Sequence, residues 1–282
     1  MKRLPLPAHL VEQAQAYADG SSEPAEPRNA ATVVLLGPSS DGPNVYLLRR
    51  QTTMAFAGGM CVFPGGGVDE RDDDPAVAWA GPSPDEWASR LGVDGDLARA
   101  LVCAAVRETF EESGVLLAGP DATSVVSDTT TEDWEADRAA LESRELAFAD
   151  FLVRRRLVLR TDLLGAWSGW LTPVFEPRRY RTWFFVAVLP EGQRTRDVST
   201  ESSAVAWMPA RSAVAAVDDG EIFMMPPTWL TCLEIGGYDS PDAVLAASEG
   251  REVEIFMPEV ISDGEGHILS TPERYTALIA DR

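Results

Sequence analysis

Glu108, Glu111 and Glu112 stand at i, i+3 and i+4, the spacing that puts side chains on one face of a helix. Carboxylates that close repel one another, and a helix offers nothing to offset the repulsion unless a cation sits among them. A hard divalent ion, Mg²⁺ or Mn²⁺, is what all-oxygen ligands of this kind select. A solvated acidic face would look the same if the triplet stood alone. Val102, Val106 and Phe110 recur every fourth position and predict a core stripe on the other side. Gly114 follows as a C-cap. The spacing thus predicts one helix over 97–113, capped by Asp96, with one buried and one acidic face.

Upstream lies Phe63-Pro64-Gly65-Gly66-Gly67-Val68-Asp69, a glycine loop after a short apolar run. Without Cβ atoms the backbone can turn sharply there and approach a metal or a phosphate. Loop and acidic helix together resemble the Nudix hydrolase signature, G-x5-E-x7-R-E-U-x-E-E-x-G-U with U apolar. Gly66 matches its opening glycine, and Arg107, Glu108, Glu111, Glu112, Gly114 and Val115 match its closing half. A long insertion separates the two halves. Asp72, in an acidic run, falls at the offset of the first signature glutamate. Over most of its length the chain is similar to the branch of that family acting on coenzyme A and its acyl esters. The resemblance rests on the F-P-G-G loop, the insertion before Arg107-Glu108-Thr109-Phe110-Glu111-Glu112, Trp170-Leu171-Thr172-Pro173 and Pro177-Arg178-Arg179-Tyr180.

The resemblance implies an α+β Nudix fold, a mixed β-sheet sandwiched between helices, with helical insertions. It implies a metal-dependent hydrolase that cuts the diphosphate of a nucleotide derivative, with Mg²⁺ or Mn²⁺ as cofactor. Glu111 and Glu112 would be the principal ligands, Glu108 a further ligand or base, and Arg107 the group that orients them. Glu201, ahead of a W-x-P strand, would be another ligand or base. Coenzyme A or acyl-coenzyme A is the leading substrate. NADH, ADP-ribose or a nucleotide sugar is the alternative, as is a non-catalytic nucleotide sensor on the same fold. Family members are often dimers, which leaves a homodimer open.

Phosphate would need cations, and arginine suits it by bidentate geometry. Arg49 and Arg50 end one predicted strand, while Arg178, Arg179 and Arg181 precede another. With Gly65 and Gly66 they are the candidate substrate contacts.

Composition narrows the classes. A net charge of −21 over 282 residues excludes a nucleic-acid surface, which needs basic patches. No apolar run is long enough to span a bilayer. Three isolated cysteines, Cys61, Cys103 and Cys232, make neither a metal pattern nor a disulfide framework, and a reducing cytoplasm is the simplest setting.

The elements that must position these groups follow from local pattern. Residues 1–29 are expected to be an extension, partly flexible, with a helix from Ala8. Residues 30–282 are expected to be a single domain with insertions at about 73–94 and 116–169. Strands are predicted over 31–36, 45–50, 60–63 and 182–189, and an edge strand leaving the sheet at Pro258. Inserted helices are predicted over 85–91, 132–141 and 147–156, with Phe148 and Phe151 read as packing rather than ligand contacts. Met224, Met225 and Trp229 are likewise read as core.

Overall fold

In a computed structural model, the structure describes residues 6, 8–20, 22–54, 57–262, 264 and 266–280. Helix α1 (Ala8–Ala18) precedes β1 (Arg28–Gly37), whose alternate residues face two different cores. Gly42, at φ +86°, turns the chain into β2 (Asn44–Arg50). Short β3 (Cys61–Val62) and β4 (Gly65–Gly67) follow. The hairpin of β1 and β2 pairs only at Leu36–Val45 and Gly37–Asn44, and β4 takes the same edge of β1 lower down, at Ala30 to Thr32.

The first insertion gives β5 (Trp79–Ala80) and α2 (Pro84–Leu91), then α3 (Gly95–Ser113) carries the acidic triplet. A serine-glutamate capping box of Ser83 and Glu86 starts α2. The cap of α3 is Asp94, whose carboxylate accepts from Leu97 N–H at 2.8 Å; Asp96 is already inside the first turn. Asp94→Ala should therefore cost about 1 kcal/mol in urea unfolding, and Asp96→Ala much less; equal losses would contradict the assignment. Nor is α3 amphipathic as expected. It is buried nearly all round, Ala98, Ala100, Ala104 and Ala105 included, because elements pack on it from several sides. Gly114 closes it at φ +75°, with its N–H on the Phe110 carbonyl.

The second insertion contains β6 (Ala118–Gly119), α4 (Glu132–Glu142), α5 (Phe148–Arg155) and β7 (Val158–Arg160). The small sheet β5-β7-β6 ties both insertions together. Phe151 stacks on Phe110 at 5.4 Å and on Phe148 at 5.9 Å, so these rings are core, as the helical stripe predicts. Central sheet resumes with β8 (Leu164–Leu171), six residues earlier than the expected Trp170. Its buried Gly, Ala and Ser positions carry too weak a strand signal to be seen in sequence.

Then come β9 (Tyr180–Val188), β10 (Ser202–Pro209), α6 (Ala210–Asp218), α7 (Pro226–Ile235) and α8 (Pro241–Ala247). The chain ends with β11 (Ile255–Phe256), the hairpin β12 (Val260–Ser262) and β13 (His267–Leu269), and α9 (Glu273–Ala280). The main sheet runs β10-β2-β1-β9-β8-β11, parallel at β1–β9 and β8–β11 and antiparallel elsewhere. One face, through Ala31, Val33, Leu35, Trp183 and Phe185, packs on α2, α3 and the second insertion. The other, through Val34, Leu36, Phe184 and Val186, packs on α6, α7 and α9. This is the mixed sheet between helices that was expected, an α+β architecture of three layers. The three cysteines are buried free thiols.

Candidate active site

Arg107 organises the site. Its Nε and Nη2 donate to the two oxygens of Asp72 at 2.9 and 2.8 Å, its Nη1 to Glu108 at 2.7 Å and Glu111 at 3.3 Å, and Nη2 also to the Gly67 carbonyl at 3.0 Å. All five guanidinium N–H groups are thereby used. Asp72 is 2 % exposed, so the pair is a buried, bidentate salt bridge. The insertion opens after Asp72 and leaves it beside the loop, where it accepts from Asp69 N–H at 2.8 Å.

The glycines make room for the carboxylates. Gly65 N–H donates to Glu112 Oε2 at 2.8 Å. A Cβ on Gly66 would lie 2.5 Å from Glu108 Oε1, and one on Gly65 2.4 Å from the Ala31 carbonyl. Glu108, Glu111 and Glu112 all have their pKa values raised, first by burial. For Glu111 and Glu112 the charge of Glu108 raises them further, while Arg107 pulls Glu108 and Glu111 the other way. Their ionised forms are therefore strained by one another.

Helix α4 fixes this end from behind. Buried Arg138 donates to the Glu111 carbonyl at 2.7 Å and to Glu142 at 2.9 Å, and Glu142 accepts from Thr200 N–H at 2.8 Å. That places Glu201 at the rim, where it is half exposed and paired with Arg50 at 2.9 Å.

These groups form one end of a cavity of about 480 Å³. Of the candidate substrate contacts, Gly65, Gly66 and Arg50 line it, as does Glu201. Arg49 does not. It points to the opposite side of the strand from Arg50, toward the Gly59 carbonyl at 3.4 Å. Arg178 is exposed and does not line the cavity. Arg179 is buried and committed: Nε to the Thr172 carbonyl at 3.1 Å, Nη1 to the Ala25 carbonyl at 2.9 Å, Nη2 to Met257 Sδ at 3.5 Å. It fastens chain segments together. Arg181 also lies outside the lining. Met224 and Trp229 are core, but Met225 lines the cavity.

Sequence reasoning missed Arg144, Leu6 and Leu10, all cavity-lining. Arg144 ends the turn after α4 in the left-handed region at φ +62° and is exposed. No short motif marks any of the three; each arrives through the way an insertion or the N-terminal stretch folds back.

The acidic end presents the carboxylate oxygens of Glu108, Glu111 and Glu112, the ligand type that a hard divalent cation takes. Among the described residues no group of three or more His, Cys, Asp or Glu is already gathered to hold one. Arg107 draws Glu108 and Glu111 to itself, and Glu112 is turned onto Gly65 N–H. Raised, mutually repelling carboxylates are what a cation would relieve.

Comparison with known proteins places these features in a group. The model of the NUDT19 Nudix domain matches residues 83–234, just over half of the chain. The acyl-coenzyme A diphosphatase NUDT19 of Xenopus laevis is 26% identical over 65% of this chain and 57% of its own length. The Homo sapiens protein of the same name is 26% identical over 84% of this chain and 74% of its own. Against a nudix hydrolase of Caenorhabditis elegans, as against the frog protein, the chain spans 57% of the relative's length. Among solved structures, a NUDIX hydrolase from Alicyclobacillus acidocaldarius superposes with a TM-score of 0.69 at 26% identity, covering 82% of this chain and 99% of that one.

Proposed function

The chain belongs to the NUDT19 Nudix domain family, and from that premise we propose that it hydrolyses the diphosphate bond of coenzyme A and acyl-coenzyme A with Mg²⁺ or Mn²⁺. The observation that carries the proposal is the union in one cavity of the Arg107-held glutamates with a long apolar end. Relatives that share the family are acyl-coenzyme A diphosphatases.

Glu108, Glu111 and Glu112 would hold the cation, with Glu201 a further oxygen donor at the rim. When bound, a divalent cation neutralises diphosphate charge and lowers the pKa of attacking water. The protein's own contribution is positional. Arg107 keeps Glu108 and Glu111 facing the cavity, and Gly65 and Gly66 let the substrate's phosphates come close to the backbone. Arg50 and Arg144 meet phosphate oxygens. Glu201 is within electrostatic reach of Glu108 and Glu112, whose pKa values its charge helps to raise, and it is paired with Arg50 at the rim.

The test is turnover of coenzyme A, an acyl-coenzyme A, NADH and ADP-ribose with Mg²⁺ or Mn²⁺. Release of 3′,5′-ADP from coenzyme A is expected. Turnover of NADH or ADP-ribose alone would replace the substrate, and nucleotide binding without turnover would make the protein a sensor. Among the described residues no helix is long and apolar enough to cross a membrane. We assign the activity to the cytoplasm on the three free thiols.

Arg144 gives a clean check on substrate contact. Among the described residues no group is seen to pair with its guanidinium, unlike Arg107, and glycine suits φ +62° better than arginine does. Arg144→Gly should raise KM about tenfold or more, the loss of one charge-assisted hydrogen bond, and leave kcat nearly as it was. An unchanged KM would remove Arg144 from the binding site.

A further inference from the structure

The cavity changes character along the sheet. One row of paired residues crosses four strands as Gly67, Ala30, Thr182 and Trp170, all of them lining the cavity. Gly67 sits at the Arg107 end. Trp170 sits three strand spacings away, roughly 14 Å at the usual interstrand distance. Past Trp170 the row continues into Phe256 of the edge strand β11.

The apolar side chains at that far end come from three distant parts of the chain. Phe175 belongs to the loop after β8, Leu269 to β13, and Leu6 and Leu10 to the N-terminal stretch and α1. Leu6 N–H donates to the His267 carbonyl at 2.6 Å, which ties the N-terminal stretch to the C-terminal hairpin. Arg179 does the same job nearby by joining Ala25 to Met257. Thr172, Glu176 and Tyr180 also line the cavity here, among the apolar Leu171, Pro173, Phe175 and Pro258.

We propose that this far end, walled by Leu6, Leu10, Phe175, Trp170 and Leu269, is a hydrocarbon subsite that takes the acyl thioester arm of the substrate and sets selectivity by acyl length. The proposal rests on the diphosphatase reading and deepens it. Its geometry is consistent with the molecule. A pantetheine arm, comparable to about four peptide units, extends on the order of 14 Å from the diphosphate, so a diphosphate at Gly67 delivers the thioester to Trp170. An acyl chain then enters the apolar end. Each methylene it buries contributes up to about fourfold to kcat/KM.

The experiment measures kcat/KM for free, acetyl-, hexanoyl- and dodecanoyl-coenzyme A. In the unmodified protein kcat/KM should rise about tenfold or more from acetyl to dodecanoyl, as buried methylenes add up. In the Leu10→Gln/Leu269→Gln protein that gradient should flatten. A flat series in the unmodified protein, or an undiminished gradient in the folded variant, would overturn the subsite. A second readout needs neither turnover nor those substitutions. In Glu112→Gln protein, dodecanoyl-coenzyme A should slow amide exchange in α1 and in β12–β13, and free coenzyme A should not. Equal exchange with both ligands would also overturn it. Loss of all turnover on coenzyme A bears on the diphosphatase reading instead, and the exchange comparison still decides the subsite.

Discussion

Glu112→Gln should lower kcat by about a hundred- to a thousandfold, the range seen when one preorganised electrostatic group is removed, while the protein becomes harder to melt in the absence of divalent metal. The two effects have one cause. Burial and the neighbouring charge of Glu108 both push the Glu112 carboxyl above its ordinary range, so its charge is held at a cost. Glutamine is the same shape, keeps an oxygen for the Gly65 N–H, and carries no charge. Stability lost to repulsion returns, and Tm rises by about 2–4 °C for each kcal/mol regained. Function and stability oppose each other here, as they do at many strained sites. The measurements are steady-state rates on coenzyme A and calorimetric Tm in EDTA. A drop in kcat of less than about tenfold would take Glu112 out of the reaction; an unchanged Tm would mean that the carboxylates are not in conflict.

Arg107→Met should cost about 3–5 kcal/mol of stability, because removing one partner of a buried pair leaves the other charged and unpaired. The environment sharpens the expectation. Asp72 is 2 % exposed, and Glu108 and Glu111 lose the same cation at the same moment. A loss that size is a large share of the whole stability of a domain. Urea unfolding in EDTA measures it. Adding Asp72→Asn to Arg107→Met removes the stranded charge, so the double variant should recover at least about 1 kcal/mol, as expected for coupled neighbours. If it is no more stable than the single variant, Asp72 and Arg107 are not the coupled pair that their geometry describes.

How much of this was legible in sequence depended on the range of the interaction. The glycine loop, the acidic triplet and the Gly114 cap are local patterns, and the structure places them as one unit. The strands of the hairpin were visible because Val and Leu alternate or cluster there; β8 was not, because its glycine, alanine and serine are chosen to fit against neighbours. The burial of α3's second face was not visible because periodicity reports burial only when one side is solvent, and here both insertions fold back onto it. Arg179 looked like a phosphate contact because its type and neighbours fit one. Three chain segments that only meet in the folded protein claim its guanidinium instead. Arg144, Leu6 and Leu10 reach the cavity by the same long-range route, for which a single sequence carries no pattern.

The stretch between Gly66 and Arg107 has a bearing on how such sites evolve. Loop-closure entropy grows only with the logarithm of length, so lengthening this connection from about 14 positions to about 41 costs roughly 1 kcal/mol. That is less than a single buried leucine contributes, and the added segment brings Trp87 and Leu91, both fully or almost fully buried. Chain entropy therefore exerts little selection on the number of residues between the loop and the helix. In this chain Asp72, held against Arg107 at 2.8 Å, keeps the loop and the helix together across that long connection. Relatives whose insertions are longer still should retain an acidic residue just past the glycines, and a search keyed to that pairing will find them where one keyed to spacing fails.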